Sequence, residues 1–180
     1  MTLNKRRLCK TLIAGGVFFS VQAMALDIPV NITGIIQIPP CQINDGKTIV
    51  VDFGDIPAED IDNERNHRKV IIPVKCSYVQ GAAYVKVTGK SLGTNTNVLS
   101  TNIANFGIAL YQGDGTSSKL MLGDGEFNGL ESIGHPIRNG LSGGKENETF
   151  TFTAVPYKEG RGNIESGDFT ASASISISYF

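Results

Sequence analysis

Histidine and cysteine are scarce in this chain. Of 180 residues, two are His and three are Cys. His67 sits in a charged run, DNERNHRK (62–69), which reads as a solvated loop, and His135 sits in a Gly/Pro loop ahead of Pro136. No catalytic constellation is read around either, so acid–base and nucleophilic chemistry have no candidate residues. No Gly-rich phosphate loop of the required spacing occurs. DGEFNG (124–129) resembles the start of a calcium loop, but position three is Glu126 and position twelve is His135, where a bidentate Glu is needed. Asp124-Gly125 reads better as a turn. No metal, cofactor or small-molecule substrate is therefore expected. Two formal glycosylation sequons, Asn31-Ile32-Thr33 and Asn147-Glu148-Thr149, are given no role.

Long apolar runs are also missing, with one short exception. Residues 11–24 (TLIAGGVFFSVQAM) are mostly apolar, follow Lys5, Arg6, Arg7 and Lys10, and run into Ala23-Met24-Ala25. A positive start, a short apolar middle and a small-x-small end make a secretory signal peptide over residues 1–25. A membrane anchor is the alternative, but the run is shorter than the roughly 20 residues a spanning helix needs. Beyond the leader, 12 basic residues face 17 acidic ones without a basic cluster, which argues against nucleic acid as a partner. Cys9 falls in the leader. Cys41 and Cys76 remain, and in an oxidising compartment they are expected to pair. Two free thiols or a metal pair are the alternatives, with no nearby His or Cys to complete a metal site.

What the sequence does have is alternation. Candidate strands are 47–53 (KTIVVDF), 68–76 (RKVIIPVKC), 82–88 (AAYVKVT), 105–112 (NFGIALYQ), 148–155 (ETFTFTAV) and 168–179 (DFTASASISISY). Period two with β-branched and aromatic residues predicts strands with one buried face. The gaps carry turn chemistry, as at Asn44-Asp45-Gly46 and Asn139-Gly140. Residues 57–62 (PAEDID) hint at one helical turn, and 113–147 reads as long Gly-rich loops with weak strands. The pattern predicts an all-β, immunoglobulin-like sandwich forming one domain over residues 41–180.

The two ends are unusual in complementary ways. Phe169, Ala171, Ala173, Ile175, Ile177 and Tyr179 fall on one face of the last strand, with Thr170, Ser172, Ser174, Ser176 and Ser178 on the other, and the sequence ends at Phe180. A complete immunoglobulin-like sandwich would normally add another strand. Without one, an open groove and an unpaired strand edge are expected, both unfavourable in water. A finished sandwich of other topology is the alternative. At the other end, the segment 26–40 precedes the domain. Ile28, Val30, Ile32, Gly34 and Ile36 share one face of it, and Pro39-Pro40 separate it from the body, since neither can donate to a ladder. It either pairs in its own domain or adds as a strand to another copy or relative.

Both ends resemble those of chaperone–usher pilus subunits. The stretches that carry the resemblance are IPPC (38–41), VVDFG (50–54), KVTG (86–89), FGIALYQG (106–113), FTFTAVP (150–156) and SGDF (166–169), with the penultimate Tyr179 and with Gly167 fourteenth from the end. The likeness extends over essentially all of residues 26–180 and is nearest to the minor tip adaptor subunits. It implies an incomplete immunoglobulin-like sandwich lacking its last strand, with an N-terminal donor-strand extension carrying Ile28, Val30, Ile32, Gly34 and Ile36. It implies a disulfide between Cys41 and Cys76. It also implies that Gly167, Phe169, Ala171, Ala173, Ile175, Ile177, Tyr179 and Phe180 form the acceptor groove and chaperone contact. The partners so implied are a periplasmic pilus chaperone, an outer-membrane usher and neighbouring pilus subunits including a tip adhesin. The place implied is a fimbrium on the cell surface, reached through the periplasm, where the subunit supports adhesion. The competing reading is a small secreted β-sandwich that binds a host glycan or protein directly through loops 90–102 and 113–147.

Overall fold

In the computed structural model of the chain, residues 28–142 and 146–180 are described. The expected leader, 1–25, lies outside them. The chain divides into two units, 1–35 and 36–180. Of the first, residues 28–35 are described; they belong to no strand and are exposed, Ile32 at 91%.

Among the described residues the second unit holds ten strands: β1 (Gln42–Ile43), β2 (Arg68–Lys75), β3 (Ala83–Gly89), β4 (Val98–Ser100), β5 (Phe106–Gln112), β6 (Ser118–Lys119), β7 (Glu126–Phe127), β8 (Ser132–Pro136), β9 (Asn147–Lys158) and β10 (Ala173–Tyr179). One sheet runs β1-β2-β9-β5-β4, with β6 added to β5, and the other runs β10-β3-β8-β7. All the strand pairings are antiparallel. The only helices among the described residues are short 3-10 turns at Asn44–Gly46, Ala58–Asp60 and Glu64–Asn66. The first uses positive φ at Asn44, Asp45 and Gly46 to reverse the chain after β1.

Alternation in the strands becomes the core between the sheets. Ile72 and Val74 of β2, Phe150 and Phe152 of β9, and Ile108 and Leu110 of β5 face Val85 and Val87 of β3 and Ile177 and Tyr179 of β10. β5 is buried on its other face as well, where Ala109 meets Leu92 and Val98 under the loop that precedes β4. Gly134 marks where β8 crosses closest to β3. It has φ +91°, and an added Cβ would stand 2.3 Å from the Val85 carbonyl oxygen.

The expected strands at 68–76, 82–88, 105–112 and 148–155 form close to their predicted bounds, and 57–62 holds its helical turn. Two expectations need correction. Residues 47–53 form no strand, because no neighbour supplies a ladder. The last strand begins at Ala173, five residues later than the pattern at 168–179 suggests. The described part of 113–147 holds only the short strands β6, β7 and β8 between loops, in line with the weak strands expected there.

Candidate functional site

The two corrected segments face each other. Residues 47–53 and 169–175 are the long sides of an apolar groove of about 340 Å³. Ile49, Val50, Val51 and Phe53 line one wall, and Phe169, Ala171, Ala173 and Ile175 line the other. The floor is the core itself: Val87, Leu99, Ile108, Leu110, Leu120, Phe152 and Ala154. Burial along β10 falls from Tyr179 and Ile177 (0% exposed) through half-buried Ile175 to exposed Ala173, so the groove opens towards the start of the strand.

Backbone edges border the groove on both sides. β10 is the edge strand of its sheet, paired with β3 alone. Phe180 and Ala82 exchange both backbone hydrogen bonds, at 2.9 and 2.8 Å. By the two-residue alternation of an antiparallel ladder, Ala173, Ile175, Ile177 and Tyr179 therefore turn their N–H and C=O groups to the outer edge. The Ile177 carbonyl accepts from Cys41 N–H at 2.7 Å, which closes that end. On the opposite wall, the Asn44 side chain donates to the carbonyls of Lys47 (3.1 Å) and Thr48 (3.5 Å). Arg68 holds those of Asp52 (3.1 Å) and Phe53 (2.8 Å). Between them, residues 49–51 have no hydrogen bond to any described residue. At the far end Phe53 meets Phe169 across the groove, ring centroids 5.9 Å apart, and Phe169 packs edge-on against Phe106 at 4.9 Å.

This arrangement can take up an extended strand. A strand laid between 49–51 and 173–175 would find donors and acceptors on both sides and apolar floor beneath. Each Val or Ile side chain it buried would contribute about 1.5–3 kcal/mol.

The sequence-predicted site residues do not all come together. Phe169, Ala171, Ala173 and Ile175 line the groove, while Ile177 and Tyr179 lie in the closed core beyond it. Phe180 and Gly167 do neither. Phe180 is half-buried, with its ring 6.2 Å from that of Tyr84, and Gly167 is exposed before the wall begins. Ile28, Val30, Ile32, Gly34 and Ile36 are all exposed, outside any ladder. Cys41 and Cys76 are joined by a disulfide with an S–S distance of 2.05 Å.

Sequence reasoning missed several residues. The Ile49–Val51 edge was legible only as an ordinary strand. Glu148 is buried in β9, where Oε1 accepts from the Tyr179 hydroxyl at 2.6 Å. One motif was also passed over: Gly140-Leu141-Ser142-Gly143-Gly144 spells Gly-x-Ser-x-Gly. Its Ser142 accepts through Oγ from Thr149 N–H at 2.8 Å. Among the described residues there is no cluster of His, Cys, Asp and Glu fit to hold a metal.

The chain is similar to proteins of bacterial pili. The fimbrial protein family matches residues 30–180. The fimbrial adapter PapF of Escherichia coli is 46% identical over 158 residues, covering 87% of this chain and 90% of the relative. The minor fimbrial protein PrsF of Escherichia coli matches to the same extent. A solved structure of the P pilus adaptor subunit PapF, 41% identical, superposes with a TM-score of 0.54 and covers 80% of this chain and 98% of that one. A chaperone–usher pilus structure at 17% identity shares the fold, with a TM-score of 0.57 over 91% of this chain and 100% of that one. On the family match and the two relatives, the chain belongs to the fimbrial protein family.

Proposed function

We propose that this chain is the tip adaptor of a chaperone–usher pilus, joining an adhesin to the tip fibre by giving one strand and receiving another. Membership of the fimbrial family carries assembly with neighbouring pilus subunits into a surface pilus. The likeness to PapF supports the adaptor role. The observation that carries the exchange mechanism is the groove between two unpaired backbone edges, 49–51 and 173–175, over an apolar floor. In the periplasm a chaperone strand occupies this groove. At the outer-membrane usher the N-terminal extension of the next subunit replaces it. This chain's own segment 26–38 fills the corresponding groove of the subunit ahead, the adhesin. The work is mechanical; no bond of a substrate is broken.

The test is co-expression in the periplasm with and without the chaperone. With it, the full chain should be recovered as a one-to-one complex; without it, the chain should aggregate or be degraded. Deleting residues 26–38 should leave the chaperone complex intact and stop docking onto the chaperone-bound adhesin. A stable monomer without the chaperone, or loss of the chaperone complex on deleting 26–38, would contradict the proposal.

A further inference from the structure

Residues 49–53 on one wall and 169–172 on the other belong to no ladder, yet both are held. Two side chains outside the groove do the holding. On one wall, the Arg68 guanidinium donates through Nε to the Asp52 carbonyl at 3.1 Å and through one terminal nitrogen to the Phe53 carbonyl at 2.8 Å. Its other terminal nitrogen reaches the carbonyls of Arg65 (2.9 Å) and His67 (3.3 Å), so the wall is tied to the turn that starts β2. The same guanidinium stands 5.6 Å from the centre of the Phe53 ring. On the other wall, the Asn102 amide clasps the chain from both sides. It accepts from Thr170 N–H at 2.7 Å and donates to the Asp168 carbonyl at 2.9 Å, immediately before and after Phe169.

We infer that Arg68 and Asn102 are a pair of positioning residues that splint the two groove walls in the shape an incoming strand needs, and so set the rate at which the groove exchanges one strand for another. The inference rests on the strand-acceptor reading above. A wall already held in place loses little conformational freedom when a strand arrives, whereas an unheld wall must be ordered during the encounter. The two clamps converge on Phe53 and Phe169, whose rings meet across the groove, so freeing either wall also frees that contact. The choice of arginine is specific. A planar fork reaches several carbonyls at once, which a single ammonium group cannot do.

The experiment uses the full chain co-purified with its chaperone and challenged with synthetic peptides. The probes are residues 26–38 of this chain and the N-terminal extensions of the fimbrial chains encoded with it. Loss of the chaperone complex is followed on native gels for wild type, Arg68→Ala, Arg68→Lys and Asn102→Ala. Backbone amide exchange at Gly54 and Thr170 and thermal melting are read on the same samples. Each variant should slow strand replacement at least fivefold while the complex still forms and melts within a few degrees of wild type. Arg68→Lys should fail to rescue. Amide exchange should rise at Gly54 only for the Arg68 variants and at Thr170 only for Asn102→Ala. Replacement at the wild-type rate in Asn102→Ala and Arg68→Lys would overturn the inference, whether or not amide exchange rises. So would slowing that only tracks a general loss of melting temperature. A wild-type complex that accepts none of the peptides would sink the strand-acceptor reading itself, and the splint with it.

Discussion

Tyr179 carries its hydroxyl into the closed end of the sandwich and donates to Glu148 Oε1 at 2.6 Å. Glu148 Oε2, also buried, has no hydrogen-bond partner among the described residues. Tyr179→Phe would leave the Glu148 side chain without its hydroxyl donor, at a cost of about 1–3 kcal/mol. The expected result is a lower melting temperature for the chaperone-bound variant, and an unchanged one would contradict this role of the hydroxyl. At the surface, a hydrogen bond from Lys86 holds the Asp124 carboxyl below its ordinary range, aided by Ser132. Its folded value is depressed, so the stabilisation is present at neutral pH and is lost as pH falls through the acid end of the carboxylate range. The side chain is highly exposed, so the effect is local. Asp124→Asn should speed amide exchange in the β7–β8 hairpin at pH 7, and the difference from wild type should vanish in acid.

At the scale of elements, the strands with partners on both sides were legible in the sequence, as was the groove wall at 169–175, whereas the wall at 49–51 was not. Ile72 and Val74, or Phe150 and Phe152, announce a buried face by period two, and β2 and β9 pair over the full length of β2. Ile49, Val51 and Phe53 have the same period and turn inward in the same way, yet form no ladder. Periodicity reports which face is buried; it carries no information about which neighbours supply hydrogen bonds. For the same reason β10 starts late, because residues 169–172 keep the alternation but lie beyond the reach of β3, whose pairing ends at Gly89 with Ala173. Arg68 was hidden in a charged run that resembles a solvated loop, whereas Glu148 shares the parity of Phe150 and Phe152, and the period that buries them turns it inward too. The disulfide was legible, because setting Cys9 in the expected leader leaves Cys41 and Cys76 as one pair. It fixes Cys41, the residue that closes the groove at Ile177, to the end of β2. Cys41→Ser should therefore lower periplasmic yield, the lost constraint being about 4 kcal/mol in the chain-entropy account. Equal yield and equal melting would argue against a structural role. On the donor side, Ile32→Asp would place an unpaired carboxylate in a neighbour's apolar groove. Gly34→Val would overpack it by about 1–3 kcal/mol. Both should slow or abolish conversion of a chaperone–acceptor complex into a subunit–subunit complex while leaving this chain's own chaperone complex intact. Unfolding of that complex by Ile32→Asp would place the segment in the chain's own core.

At the largest scale, the second unit is a two-sheet sandwich whose core is closed at the Tyr179 end and open at the Ala173 end. Typical domains hold only about 5–15 kcal/mol of net stability. One with an uncovered apolar groove and two unpaired edges has less, and adding one strand would remedy both defects together. In the proposed exchange, assembly and completion of folding would be a single event. The identity of the strand in the finished fibre tests this most directly. Val50 lines the groove and is 82% exposed, so a photo-crosslinking amino acid placed there reports the occupant without disturbing the core. Crosslinking in intact pili, followed by mass spectrometry of the joined peptides, should recover the N-terminal extension of a different subunit. Recovery of this chain's own residues 28–38 would contradict the account, and so would a groove that captures no strand in assembled pili.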